Sequence, residues 1–137
     1  MIREIVKDVI FLSQKAEPAT KEDVGIAADL LDIVKFHADR CVGLAANMIG
    51  ENKAVIVVKS KNEYLAMLNP CIVKKSAKTY EAIEGCLSHS GERKVTRYAS
   101  IEVRYQDLSF AKKREKFSGM TAEIIQHEID HCNGILI

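Results

Sequence analysis

Apolar and polar positions alternate, or β-branched residues cluster, in five short stretches parted by turn residues: 54–58, 64–68, 71–73, 80–83 and 101–105. Runs of this length and make-up predict antiparallel strands, because branched side chains pack well on a pleated, half-buried surface. Helical spacing takes over elsewhere. After Pro18, Thr20-Lys21-Glu22-Asp23 offers a hydroxyl cap with an acid three residues on. Val24, Ala27, Ala28, Leu31 and Val34 then recur on one face, which predicts a helix over about 21–39. A last helix passes through His127 and His131 and stops at Asn133-Gly134. With no repeat, low-complexity tract or flexible linker, and with Pro18 and Pro70 at element boundaries, residues 1–137 are expected to form one domain of the α+β class.

A wheel drawn for the last helix gives its chemistry a direction. With His127 at zero and about 100° per residue, His131, Ile124 and Met120 fall within roughly 60° of it and Glu128 near 100°. Both histidines and Glu128 are therefore expected on the buried arc. Gln126, Asp130 and Glu123 cluster on the opposite side, where a solvated face belongs, so Asp130 is a poor candidate for chemistry. Two histidines four apart can grip one divalent ion, and a glutamate beside the first can accept a proton from water. The same five-residue pattern also arises where the histidines are merely satisfied core residues. Burying two imidazoles and a carboxylate on one apolar arc, however, costs several kcal/mol unless something pairs with them, and a metal is the economical partner.

The third ligand separates the hydrolase classes. Thermolysin-like and metzincin proteases take it from downstream, but Cys132 to Ile137 contain no Glu and no further His. It is expected upstream instead. Cys86, in a glycine-flexed turn after a strand, is the best thiolate candidate, although a single cysteine is more often an inert buried thiol. Cys132 lies about 140° round the helix from His127 and is a worse one. His89 forms a C-x-x-H pair with Cys86 but is expected in a polar loop with Ser88, Ser90 and Gly91. A His/His/Cys set with one open position suits tetrahedral zinc or ferrous iron.

Composition narrows the context. The 137 residues are 47% hydrophobic and 28% charged, ordinary for a globular domain, and the formal net charge of +1 gives no overall field that would indicate nucleic acid or an anionic membrane as partner. The charge-broken start Met1-Ile2-Arg3-Glu4-Ile5-Val6-Lys7-Asp8 is neither a secretory signal nor an acid-poor transit peptide. No window approaches eighteen uninterrupted apolar residues, so no membrane span is expected. Cys41, Cys71, Cys86 and Cys132 lack framework spacing, which points to reduced thiols in a cytosol.

Three blocks resemble those of the peptide deformylases: Gly43-Leu44-Ala45-Ala46 with Ile49-Gly50, then Glu84-Gly85-Cys86-Leu87-Ser88, then Gln126-His127-Glu128-Ile129-Asp130-His131. Their order and spacing are those of that family, and the alternation in 97–107 resembles the strand between its second and third blocks. The resemblance implies antiparallel sheets around a C-terminal metal-binding helix, with the N-terminal helix packed outside. It implies one divalent ion on Cys86, His127 and His131, Fe2+ in the cell, with Zn2+, Ni2+ or Co2+ as substitutes. It further implies removal of the formyl group from the N-terminal formylmethionine of nascent chains in a bacterial cytoplasm. Glu128 would move the proton, the Leu87 N–H would donate to the oxyanion, and the peptide would add as a strand beside Gly43 and Leu44. Ile124 would help line the methionine pocket, and Arg93 falls where the family often has an arginine near the substrate.

The first block departs from the family's G-x-G-x-A-A-x-Q form. Cys41 stands at its first glycine and Met48 at its glutamine, whose amide donates to the developing oxyanion. Met48 has no donor, and losing one such donor costs on the order of a hundred- to a thousandfold in rate. Weakened catalysis is one expectation. A deformylase-like protein that only binds metal and N-terminal peptides is the alternative. Asn47 could substitute only if the loop shifted, since neighbouring side chains of an extended segment point to opposite faces.

Overall fold

The computed structural model describes residues 1–88 and 90–137. The capping box at Thr20 forms as expected: its backbone N–H donates to the Asp23 carboxylate at 2.8 Å and its hydroxyl accepts from Glu22 N. A 3-10 turn over Lys21–Asp23 leads into a helix over Val24–Phe36. That helix is here α2, a short α1 over Val9–Leu12 preceding it. Its buried face is Ile26, Ala27, Leu30, Ile33 and Val34, whereas Ala28 of the expected stripe is exposed. The larger side chains one turn-step away win the core, because they remove more apolar area from water.

Among the described residues seven strands form two antiparallel sheets. β1 (Gly43–Ala45), β2 (Val55–Ser60), β3 (Glu63–Lys75), β6 (Ser100–Gln106) and β7 (Lys112–Ser118) make one, in the order β1-β2-β3-β6-β7. β4 (Thr79–Gly85) and β5 (Glu92–Tyr98) make the other. The two stretches expected at 64–68 and 71–73 are one strand interrupted by a bulge. Its register on β6 shifts between Leu68 and Cys71, where Asn69 has φ 53° and Pro70 can donate nothing to the ladder. The Asn69 side chain repairs the break by accepting from Ala19 N and donating to Ala19 O and Gln106 Oε1, at 2.8–2.9 Å.

β1, β5 and β7 were not expected. β1 is only three residues long, and β5 and β7 read Glu-Arg-Lys-Val-Thr-Arg-Tyr and Lys-Lys-Arg-Glu-Lys-Phe-Ser, with no apolar alternation to mark them. They exist because partner strands supply their hydrogen bonds, a long-range term invisible to local pattern.

The last helix, α3 (Gly119–Cys132), lies within the sheets. Both expected stop signals are present: Asn133 is its C-cap and Gly134 has φ 74°. A Cβ on Gly134 would stand 2.3 Å from Ser13 O, so only glycine lets the end of α3 turn onto the segment after α1. Ala16 N donates to Cys132 O at 2.7 Å beside it. All four cysteines are free thiols. No helix among the described residues is long and apolar enough to cross a membrane.

Candidate metal centre

The spacing of the two histidines on α3 does what the wheel required. His127 and His131 are buried, their Nε2 atoms 3.2 Å apart, and Cys86 Sγ lies 3.3 Å from His131 Nε2. One ligand atom from each of the three residues falls within 4.8 Å of the others. Ligands at 2.0–2.3 Å from a tetrahedral centre stand about 3.3–3.7 Å from each other, so the three converge on a site of metal size. Cys86 arrives there because β4 ends at Gly85 and the chain turns, with Ser88 N donating to the thiol sulfur at 3.5 Å.

A carboxylate behind the histidine fixes its orientation. His127 Nδ1 donates to Glu84 Oε1 at 2.7 Å, leaving Nε2 for the centre. Arg97 grips Glu84 with two parallel bonds, Nε to Oε2 at 2.9 Å and Nη2 to Oε1 at 2.7 Å, and its Nη1 reaches Asp130 at 2.6 Å. Burial by itself would raise the Glu84 carboxyl, but the bonds from Arg97 and His127 outweigh it and hold the group at about 2. Burial by itself would lower His127, yet Cys86 and Glu84 raise it to about 10. The surroundings thus favour positive charge at the point where the three ligand atoms meet, which fits a cation.

Glu128 is 4% exposed, and its Oε1 has no hydrogen-bond partner. Burial pushes its carboxyl up to about 7, against the lowering influence of His127. It faces a cavity of about 200 Å3 whose walls include Gly43, Met48, Leu87, Ile124 and His127. Gly43 is where β1 passes α3 most tightly. A Cβ there would meet Ile124 Cγ2 at 2.7 Å and Glu128 Oε2 at 2.9 Å, so the glycine is needed for close approach.

Of the residues singled out from sequence, Cys86, His127, His131, Glu128, Leu87, Met48, Gly43 and Ile124 come together here. The Leu44 side chain does not: it is fully buried, and only its main chain lies on the sheet edge. Arg93 also stands apart, donating to Leu136 O at 2.8 Å and sharing a separate hollow with Lys7, Leu87, Ser88 and Ser90. Met48 is 1% exposed and forms both core and cavity wall, with its sulfur 3.5 Å from Ala45 N. Asn47 donates to His131 O at 2.9 Å, so its amide is committed away from the cavity. His89 lies outside the described residues.

Two expectations from the wheel are corrected. Met120, placed on the buried arc, is 66% exposed at the cavity rim, because α3 begins only at Gly119 and its first turn projects past the sheet. Gln126, placed on a solvated face, is 4% exposed, since its amide pairs with both Tyr98 N and Tyr98 O on β5. Glu84 and Arg97 were missed as supports of the site. The unread strand β5 carries the arginine, and its run Glu-Arg-Lys-Val-Thr-Arg-Tyr holds no local signal that marks it.

The comparisons agree with the geometry. A sequence model described as polypeptide deformylase matches residues 2–137. The chain belongs to this family. It is 52% identical over 137 residues to the peptide deformylase of Clostridium beijerinckii, covering 100% of both chains. The crystal structure of peptide deformylase from Thermotoga maritima superposes with a TM-score of 0.91 at 30% identity, over 99% of this chain and 95% of that one. A Met-Ala-Ser-bound crystal structure of class I type b peptide deformylase from Acinetobacter baumannii gives 0.90 at 27%, over 99% and 96%. This deformylase is accordingly a metal-dependent hydrolase that removes the formyl group from nascent peptides, built on the α+β fold expected from its blocks.

Proposed function

We propose that Cys86, His127 and His131 hold a single divalent ion and that Glu128 carries the proton of the deformylation reaction. The convergence of those three ligand atoms beside an unpartnered, buried carboxylate oxygen supports the reading most strongly. When bound, the ion would make a water more acidic and polarise the formyl oxygen. Glu128 accepts the proton of the attacking water and returns it to the amine nitrogen as the C–N bond breaks, leaving formate and a free N-terminus. The Leu87 N–H donates to the oxygen that gathers negative charge. The substrate backbone pairs with the free edge of β1 at Gly43 and Leu44, and its methionine side chain enters the cavity at Ile124. One domain over residues 1–137 carries all of these roles, in the bacterial cytoplasm on N-formylmethionyl chains.

Ferrous iron is the proposed ion in the cell, and zinc, nickel or cobalt suit the same donors. Metal analysis of protein purified without air decides between them. Reduced turnover is proposed as well, since Met48 offers no donor and the Asn47 amide is already spent on His131 O. Formate release from a formyl-Met-Ala peptide, with the iron protected from air, tests the whole reading. Turnover above a Glu128→Ala control is expected; equal rates would favour a protein that binds N-terminal peptides without cleaving them.

A further inference from the structure

The cavity beside Glu128 has a deep end and an open one. Met48, His127 and Glu128 form its buried walls, while Arg40, Val42, Ile83 and Met120 stand exposed around its opening. A single exposed apolar side chain needs no explanation, but Val42, Ile83 and Met120 come from three separate segments onto one opening. Ile83 lies on the outward face of β4, where its neighbours two residues away are Glu81, paired to Lys94, and Gly85. Together the three make an apolar collar.

Within the collar sits one uncompensated cation. Arg40 precedes Cys41, whose buried thiol donates to Gly43 O at 3.1 Å, and its own N–H closes the turn after α2 on His37 O at 3.0 Å. Its backbone is thus fixed at the mouth, and its guanidinium has no carboxylate partner among the described residues. Of the acids on the same wall, Glu84 is held by Arg97, Glu123 accepts from the Tyr80 hydroxyl at 2.8 Å, and Glu128 lies at the deep end. Arg93, the cation singled out from sequence, borders a different hollow. Apolar walls around a charge displace water from beside it, so its field is screened less at the opening than on a fully wet surface.

We infer that Arg40 selects substrates by charge, favouring nascent chains with acidic residues directly after the methionine over chains with basic ones. The inference rests on the substrate path proposed above. A chain whose methionine reaches Ile124 leaves the cavity through this opening, so its second and third residues pass the guanidinium. Successive side chains of an extended peptide point to opposite sides, so one of the two turns toward Arg40. The collar gives contact to any chain, and the arginine supplies the discrimination.

Formate release from formyl-Met-Glu-Glu amide and formyl-Met-Lys-Lys amide, compared as kcat/KM, tests the assignment. The ratio of the two within one preparation cancels differences in metal content and folded fraction. The unaltered protein should favour the acidic peptide by about fivefold at low ionic strength, and the ratio should approach one in about 0.5 M salt. Arg40→Gln should bring the ratio toward one, and Arg40→Glu should invert it. Lys112→Glu makes the same change of charge on β7, at the opposite edge of the sheet from β1, and should leave the ratio as it is. Calorimetric binding of the deformylated pair, Met-Glu-Glu amide and Met-Lys-Lys amide, reads the same preference without turnover. Equal or inverted preference in the unaltered protein, or a preference for acid that survives Arg40→Glu, would overturn the inference. A binding preference without formate release would sustain it and count against the chemistry proposed for Glu128 instead.

Discussion

The side-chain amide of Asn47 donates to the backbone carbonyl of His131 at 2.9 Å, tying the 3-10 turn Ala46–Ile49 to the last turn of the helix that bears both imidazoles. The carbonyl also accepts from Gly134 N at 3.0 Å, so removing the amide does not orphan it. Asn47→Ala should therefore cost near the lower end of the range for a buried bond, about 1 kcal/mol. For a chain of this size that is a drop of about 3–5 °C in Tm. An unshifted melt would show that the bond adds nothing.

Met48→Gln should restore an oxyanion donor to the cavity wall. Turnover of a formyl-Met-Ala peptide is expected to rise at least about tenfold with little change in KM, because the gain is made only in the transition state. An unchanged or lower kcat would mean that the absent amide is not what limits the enzyme.

Gly43→Ala forces a methyl group against Ile124 Cγ2 and Glu128 Oε2, at 2.7 and 2.9 Å in the present geometry. The carboxylate is the movable partner. Displacing a proton carrier by about an ångström can cost a hundredfold, so kcat should fall by about ten- to a hundredfold while the far-UV spectrum stays the same. Full activity in the variant would show that Glu128 need not occupy its observed position.

Arg97→Met deprives Glu84 of its two-pronged partner and leaves the carboxylate held by His127 alone. Competition with a chelator should reveal metal affinity weakened by about 10- to 100-fold. Breaking the buried pair should also destabilise the protein by about 3–5 kcal/mol. Arg97→Lys should rescue little, since an ammonium cannot reproduce the fork. Wild-type metal retention in both variants would remove Glu84 from the supports of the site.

Stripping the metal should lower Tm, because the ion binds a cluster that the unfolded chain cannot assemble. The shift is read from melting curves before and after chelation, with removal verified by elemental analysis. Superimposable curves would show that the ion makes no contribution to stability.

What could be read from the sequence follows the range of the forces involved. His127, His131 and Cys86 were legible because a metal restricts ligand types and helical geometry fixes the spacing. Strands β2, β3, β4 and β6 were legible because each carries a short β-branched or alternating apolar run, buried on both faces in β2 and on one in β6. β5 and β7 were not, since their order comes from ladders to strands distant in sequence. Arg97 was lost with β5. Gln126 was assigned to solvent because a wheel registers polarity alone, whereas its amide is buried by pairing with the Tyr98 backbone.

The seating of Gly134 against Ser13, and of Ala16 against Cys132, joins segments from nearly opposite ends of the sequence. The entropy of closing so long a loop grows only logarithmically with its length, so the equilibrium cost of this seam is modest. Its kinetic weight is larger, because chains rich in distant contacts fold slowly. The imidazoles lie near the distal end of that loop, so the seam that closes it also anchors the last turn of the helix that carries them.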